Sequence, residues 1–307
     1  MSLFDRLIAA TMPLVPRPMM RRLSARYIAG EERADALERG RMLAGKDYRL
    51  TFDLLGEAVT TRAEVEAAAA EYHGLLDALA EGGLERNISL KPTQMGLDIG
   101  EDFCHDVVAA VLEHAARLDA FVRFEMEESS TVDATLRVFA RLRRAYPGTV
   151  GCVLQSMLHR TLDDIRTLLE DDAPLNVRMV KGIYVEPPEV AHQNGGAVNQ
   201  AWLEGTRMLL EGGAFVAAAT HDESLVEGLE ELRAGIDGAE ERSELQMLCG
   251  VREEFRQVWR GRGMPVRVYL PYGLAWRKYV ERRLRKNPKL ARYALTGMFK
   301  RQEKLGD

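Results

Sequence analysis

Cysteine is scarce: three residues among 307, at positions 104, 152 and 249, odd in number and without a C-x-x-C pair. That excludes a disulfide framework and a thiolate zinc site, and it suits a reducing, cytoplasmic compartment. Long apolar runs are missing as well. The opening MSLFDRLIAATMPLVPRPMMRRLSARY mixes charges and prolines into its apolar stretch, so neither a membrane span nor a signal-peptide core is expected. Positive charge is not in excess, with 42 basic against 47 acidic side chains and a net charge of −5. A protein built to grip phosphate backbones needs a basic surface, so nucleic acid is excluded as the main partner. The histidines at 73, 105, 114, 159, 192 and 221 show no H-x-x-x-H or H-E-x-x-H spacing, and no metal site is expected. G-x-S-x-G, Walker A and G-x-G-x-x-G patterns are all absent.

What is present is an apolar fraction of 46% and a regular alternation of element types. Residues 1–45 read as a helical arm: Leu3, Phe4, Leu7 and Ile8 recur at helical spacing, prolines at 13, 16 and 18 interrupt, and Met19, Met20, Leu23 and Tyr27 resume the pattern. The arm is an amphipathic helix packed on the rest of the chain, with a membrane surface or a partner as the alternative contact. Residues 46–307 form the second unit. Strands are expected near Leu50, Ile88, Ala120, Val150, Asn176, Ala214, Glu244 and Val266, each followed by a helical stretch. Thr61 with Glu64 reads as a capping box ahead of an apolar face at Val65, Tyr72, Leu75, Leu76 and Leu79, closed by Gly82-Gly83. Further faces run through Val132, Leu136, Phe139 and Leu142, and through Ile165, Leu168 and Leu169. Parallel strands need crossovers long enough to hold a helix, so the pattern predicts an α/β fold. Eight units match a closed (β/α)8 TIM-type barrel followed by a C-terminal helix, and a doubly wound sheet is disfavoured by the missing glycine fingerprint.

Barrel enzymes place their reacting groups at the C-terminal strand ends. Read there, the chain shows Asp53, Lys91, Glu125, Gln155, Arg178 with Lys181, Thr220 with His221, Gln246 and Tyr269. Each alone reads equally as a solvated strand end. Together they form a mixed-charge mouth, and with Arg282-Arg283 the cations outnumber the carboxylates, which suggests an anionic ligand such as a carboxylate or phosphate. Spacing alone leaves Arg282-Arg283 a solvated basic helix face, and Lys91 or Lys181 open as Schiff-base lysines.

The segments SLKPTQMGLD (89–98), VRFEMEES (122–129), VLQSMLHR (153–160), VRMVKGIYVEP (177–187), AAATHD (217–222), LQMLCGV (245–251) and VRVYLPYGLAWRKYVERRL (266–284) resemble the proline dehydrogenases, in the same order. The resemblance implies a distorted barrel that oxidises L-proline to Δ1-pyrroline-5-carboxylate with FAD, the first step of proline catabolism. It implies hydride transfer from proline C5 to flavin N5, with electrons passed to a quinone. Arg282 and Arg283 match the pair that clamps the proline carboxylate, Lys91 a lysine beside them, Tyr279 an aromatic residue on the proline ring, Tyr269 a tyrosine shaping the pocket, and Leu248 apolar wall. Met126, Gln155, Arg178, Lys181, Gly182, Ile183, Thr220 and His221 match FAD contacts, Arg178 near N5.

Glu125 stands where the family usually has aspartate, so a carboxylate one methylene longer is expected to pair with a nearby cation. The short Tyr269 to Tyr279 interval resembles the monofunctional branch, which implies a separate dehydrogenase for the product and a cytoplasmic enzyme, peripheral to the membrane at most. Rival readings are a flavin barrel like methylenetetrahydrofolate reductase, a Schiff-base aldolase, and a barrel retained as a scaffold.

Overall fold

A computed structural model of the chain describes residues 20, 21, 24–56, 59–277, 279 and 280. Eight parallel strands close into one barrel in sequence order. They are β1 (Arg49–Leu54), β2 (Asn87–Leu90), β3 (Phe121–Phe124), β4 (Val150–Gln155), β5 (Asn176–Val180), β6 (Phe215–Ala219), β7 (Ser243–Leu248) and β8 (Val266–Tyr272). Register is continuous around the ring, from Phe52 opposite Ile88 to Leu248 opposite Tyr269, and β8 closes on β1 with Tyr269 opposite Thr51.

The helices follow the expected punctuation. Helix α1 (Arg33–Ala44) precedes β1, and α2 (Arg62–Glu81) follows it behind a capping box in which Thr61 and Glu64 satisfy each other's backbone N–H groups. Val65, Tyr72, Leu75, Leu76 and Leu79 are the buried face of α2. The ring continues with α3 (Glu101–Arg117), α4 (Val132–Ala145), α5 (Thr161–Leu169), α6 (Gly195–Glu211), α7 (Glu223–Gly235) and α8 (Glu253–Gly261). Val132, Phe139 and Leu142 are buried on α4, with Leu136 half-buried beside them, and Ile165 and Leu168 are buried on α5. Among the described residues no helix is long and apolar enough to cross a membrane.

The outer wall over β8 and β1 is covered by α1, which packs on both strands and sets Gly40 so close to Phe52 that a Cβ there would meet the ring at 2.8 Å. Beyond β8, Trp276 and Val280 join Met20, Tyr27, Ile28 and Leu55 in a second apolar cluster. Trp276 donates its indole N–H to Glu31 at 2.9 Å, tying the two chain segments together. The rest of the expected N-terminal arm lies outside the described residues.

The outer faces of the strands carry the apolar core between sheet and helices, while the inner faces are polar, where barrels ordinarily stack Val, Ile and Leu. Arg178 bonds across the lumen to Ser89 and Gln246, and Arg123 to Asn176. Gly151 on β4 makes room for this: a Cβ would meet the Arg123 guanidinium and the Asn176 carbonyl, each at 2.5 Å.

Candidate active site

Strand alternation sends every second residue inward, so the last two inward positions of β1, β2, β3, β5, β7 and β8 converge at one end of the barrel. Asp53 ends the inward series of β1, and Lys91 stands one residue beyond β2. The Lys91 ammonium donates to Asp53 Oδ1 at 2.7 Å, with the carboxylate fully buried and the lysine side chain 10% exposed. Burial pushes the Asp53 carboxyl up against the pull of Lys91. Burial alone would pull Lys91 down, but Asp53, Glu125 and Glu127 outweigh it and hold the ammonium above the ordinary lysine value.

Arg178 on β5 is the centre of the mouth. Its Nε donates to Gln246 Oε1 at 2.6 Å, its Nη2 to Ser89 Oγ at 3.0 Å, and its Nη1 to Glu125 Oε1. The guanidinium carbon stands 5.3 Å from the centroid of the Tyr269 ring. Three of the five N–H bonds are thus held by protein acceptors on three different strands or strand ends, and the other two have none among the described residues. The cation expected to answer Glu125 is therefore Arg178. Burial first, then Asp53 and Glu125, push the Tyr269 phenol well above its ordinary value, so it stays protonated and able to donate. Tyr279 stands close enough to Tyr269 to add to that shift.

The remaining expected residues lie around this centre. Gln155 at the end of β4 donates to the Glu127 carbonyl at 2.8 Å and to that of buried Met126 at 3.4 Å, while its side-chain oxygen is buried without a partner. Lys181 pairs with Asp222 at 2.6 Å, half-exposed, bridging the loops after β5 and β6 and holding the Asp222 carboxyl below its usual range. Gly182 has φ +105°, where a Cβ would meet Met157 Sδ at 2.4 Å, and Ile183 beside it is 56% exposed. Thr220 is buried and accepts from the Asp222 N–H at 3.0 Å. His221 accepts at Nε2 from the Leu248 N–H at 3.2 Å, which fixes that nitrogen as the unprotonated one. Arg282 and Arg283 lie outside the described residues. Gln246, expected among the polar residues of the mouth but given no role, is brought to Arg178, while Ser89 and Glu127 were not singled out; Ser89 was findable as the residue two positions before Lys91 on the same strand face. Glu127 accepts from the N–H and hydroxyl of Thr93 at 2.8 and 2.9 Å, and burial pushes its carboxyl up.

Among the described residues no group of three or more His, Cys, Asp or Glu side chains could hold a metal. A closed barrel that buries paired charges and a rigidly held guanidinium at its C-terminal mouth defines a (β/α)8 enzyme that binds an anionic or electron-rich group there. The model of one family, proline dehydrogenase, matches residues 36–292. The proline dehydrogenase of Deinococcus radiodurans is 32% identical over 288 residues, covering 92% of this chain and 92% of that protein. Proline dehydrogenase 1 of Bacillus subtilis is 31% identical over 281 residues, with 91% and 92% covered. In fold, the chain is similar to proline utilization A from Bdellovibrio bacteriovorus inactivated by N-propargylglycine, with a TM-score of 0.80 and 23% identity over 85% of this chain and 32% of that one. The chain belongs to the proline dehydrogenase family, flavoenzymes that catalyse the first step of proline catabolism.

Proposed function

We propose that this chain oxidises L-proline to Δ1-pyrroline-5-carboxylate with FAD held over the barrel mouth, and that its electrons leave to a quinone. The observation that carries the reading is Arg178, buried, fixed by three acceptors and, among the described residues, left with two N–H bonds for a ligand. The surrounding residues fit a flavin: a buried, unpartnered oxygen on Gln155, a bare backbone at Gly182 and the exposed side chain of Ile183. Gln155, Lys181, Gly182, Ile183, Thr220 and His221 would hold it, with Met126 beneath. When bound, FAD supplies the acceptor for the hydride that leaves proline C5. Arg178, kept in place by Glu125, favours the electron-rich reduced form by its positive charge.

On the substrate side, Arg282 and Arg283 would fork the proline carboxylate, and Lys91, whose charged form the neighbouring carboxylates favour, would add to the attraction. Tyr279 packs on the ring, Leu248 supplies apolar wall, and the protonated Tyr269 closes the pocket beneath. The raised Lys91 value argues against a Schiff-base aldolase, which needs a neutral amine. The product would pass to a separate pyrroline-5-carboxylate dehydrogenase, and the enzyme would work in the cytoplasm, touching the membrane only to reach the quinone.

The absorbance spectrum of the purified protein tests cofactor and substrate together: L-proline should bleach the oxidised flavin bands. An unchanged spectrum with full FAD loading refutes the assignment. Arg283→Met should raise the proline KM by about tenfold or more, the loss of one charge-assisted pair, while bound flavin is retained.

A further inference from the structure

The inner face of β7 continues below the mouth. Glu244, Gln246 and Leu248 alternate inward on this strand, and Glu244 is 1% exposed. Its carboxylate accepts twice from Arg267 on β8, Nε to Oε1 at 2.6 Å and Nη2 to Oε2 at 3.1 Å, and once from Arg49 at 3.1 Å. Arg267 is itself held by Glu85 at 2.7 Å and by the Leu50 carbonyl. The remaining contact of Glu244 is upward: Oε1 accepts from Gln246 Nε2 at 2.7 Å.

That contact decides which way the Gln246 amide points. A carboxylate can only accept, so the amide must turn its NH2 down to Glu244. A guanidinium can only donate, so the amide oxygen must turn up to Arg178 Nε. Both neighbours demand the same orientation, and the flipped amide would set a donor against a donor and an acceptor against an acceptor. Gln246 also answers Arg178 without neutralising it, which a carboxylate in its place would do.

We propose that Gln246 is a positioning residue for the reaction, its amide oriented by the Glu244–Arg267 pair so that it fixes Arg178 while leaving the arginine's charge uncompensated on that side. The inference rests on the reading of Arg178 beside the flavin, and it assigns a task to a polar column running from the lower barrel to the mouth.

The test measures the flavin midpoint potential, the proline kcat and KM, and the crystal structure of the flavin-loaded protein for Gln246→Met, Gln246→Glu and Arg178→Met. Gln246→Met should release Arg178 Nε, shift the potential negative and lower kcat about ten- to a hundredfold, the equivalent of one charge-assisted hydrogen bond, with KM within about twofold of the parent. Gln246→Glu sets a second carboxyl 2.7 Å from Glu244, so the two share a proton and no net charge is added; it should keep the guanidinium in place in the crystal and hold the potential nearer the parent's than Gln246→Met does. If Arg178→Met shifts the potential and Gln246→Met does not, the positioning role is overturned and the flavin reading stands. If Arg178→Met leaves the potential unmoved, the flavin reading itself has failed. Glu244→Gln strands the Arg267 charge and can prevent folding, so the two Gln246 variants carry the decision.

Discussion

The Asp53–Lys91 pair makes a sharp prediction because its two members are so completely withdrawn from water. Lys91 stands 2.7 Å from a carboxylate that is 0% exposed. Asp53→Ala leaves the ammonium in the barrel without its partner, and breaking a buried pair from one side costs about 3 to 5 kcal/mol. Glu125 and Glu127 still act on Lys91, which places the cost toward the lower end of that range. Lys91→Met should cost less, because burial already pushes Asp53 toward protonation and a neutral carboxyl is cheaper to leave behind. The double variant Asp53→Ala/Lys91→Met removes both charges and should be more stable than Asp53→Ala, with a coupling energy of about 1 to 3 kcal/mol. Urea unfolding of the four proteins at pH 7 measures it, all with flavin at the same saturation. The reasoning is refuted if Asp53→Ala costs under about 1 kcal/mol, or if the two single effects simply add in the double variant.

Gly151→Ala should lose about 1 to 3 kcal/mol, since its Cβ meets an Arg123 Nη1 already bound to the Cys152 and Asn176 carbonyls and unable to retreat. Gly195→Ala, at the first residue of α6 with nothing within 4 Å of the new Cβ, is the control and should not lose stability. The buried thiols set an alkaline limit. Burial pushes Cys104 and Cys152 up to about 12, from 9.0 when freely hydrated. Their folded values lie above the unfolded ones, so their contribution is intact below pH 9 and is lost between there and pH 12, at about 1.4 kcal/mol per pH unit for each thiol. Urea midpoints between pH 9 and pH 10.5 should therefore fall less steeply for Cys104→Ala/Cys152→Ala than for the parent. Equal slopes would sink the explanation.

The strands were legible because each is a short apolar run bounded by turn residues, and all eight begin within a residue or two of the expected positions. Lys91, Glu125, Arg178 and Tyr269 were legible as charged or polar residues at strand ends. Their pairing was not. Arg178 reaches Ser89 across 89 residues of sequence and Gln246 across 68, contacts that depend on barrel closure and register rather than on local pattern. Periodicity also failed to reveal where residues 33–44 go. The buried stripe of α1 is only Ala36, Gly40 and Leu43 among charged neighbours, too weak a signal to show that it packs over β8 and β1.

The inner charges explain why the barrel accepts a less apolar interior than packing alone would favour. Among the described residues on the strands or directly after them, Asp53 is matched by Lys91, Glu125 by Arg178 and Glu244 by Arg267. Arg123 has carbonyl and amide oxygens instead of a carboxylate, and burial together with nearby Arg178 pulls it down to about 9. At the mouth, Asp53, Glu125 and Glu127 hold the Lys91 ammonium charged in spite of its burial. Oriented in advance by the fold, such a charge needs no reorganisation when negative charge arrives at the mouth. A core of Val and Leu would be easier to bury but would offer nothing to a carboxylate or a reduced flavin. Deeper in the barrel, the carbonyl oxygens around Arg123, reached because Gly151 carries no Cβ, satisfy a buried cation without a carboxylate.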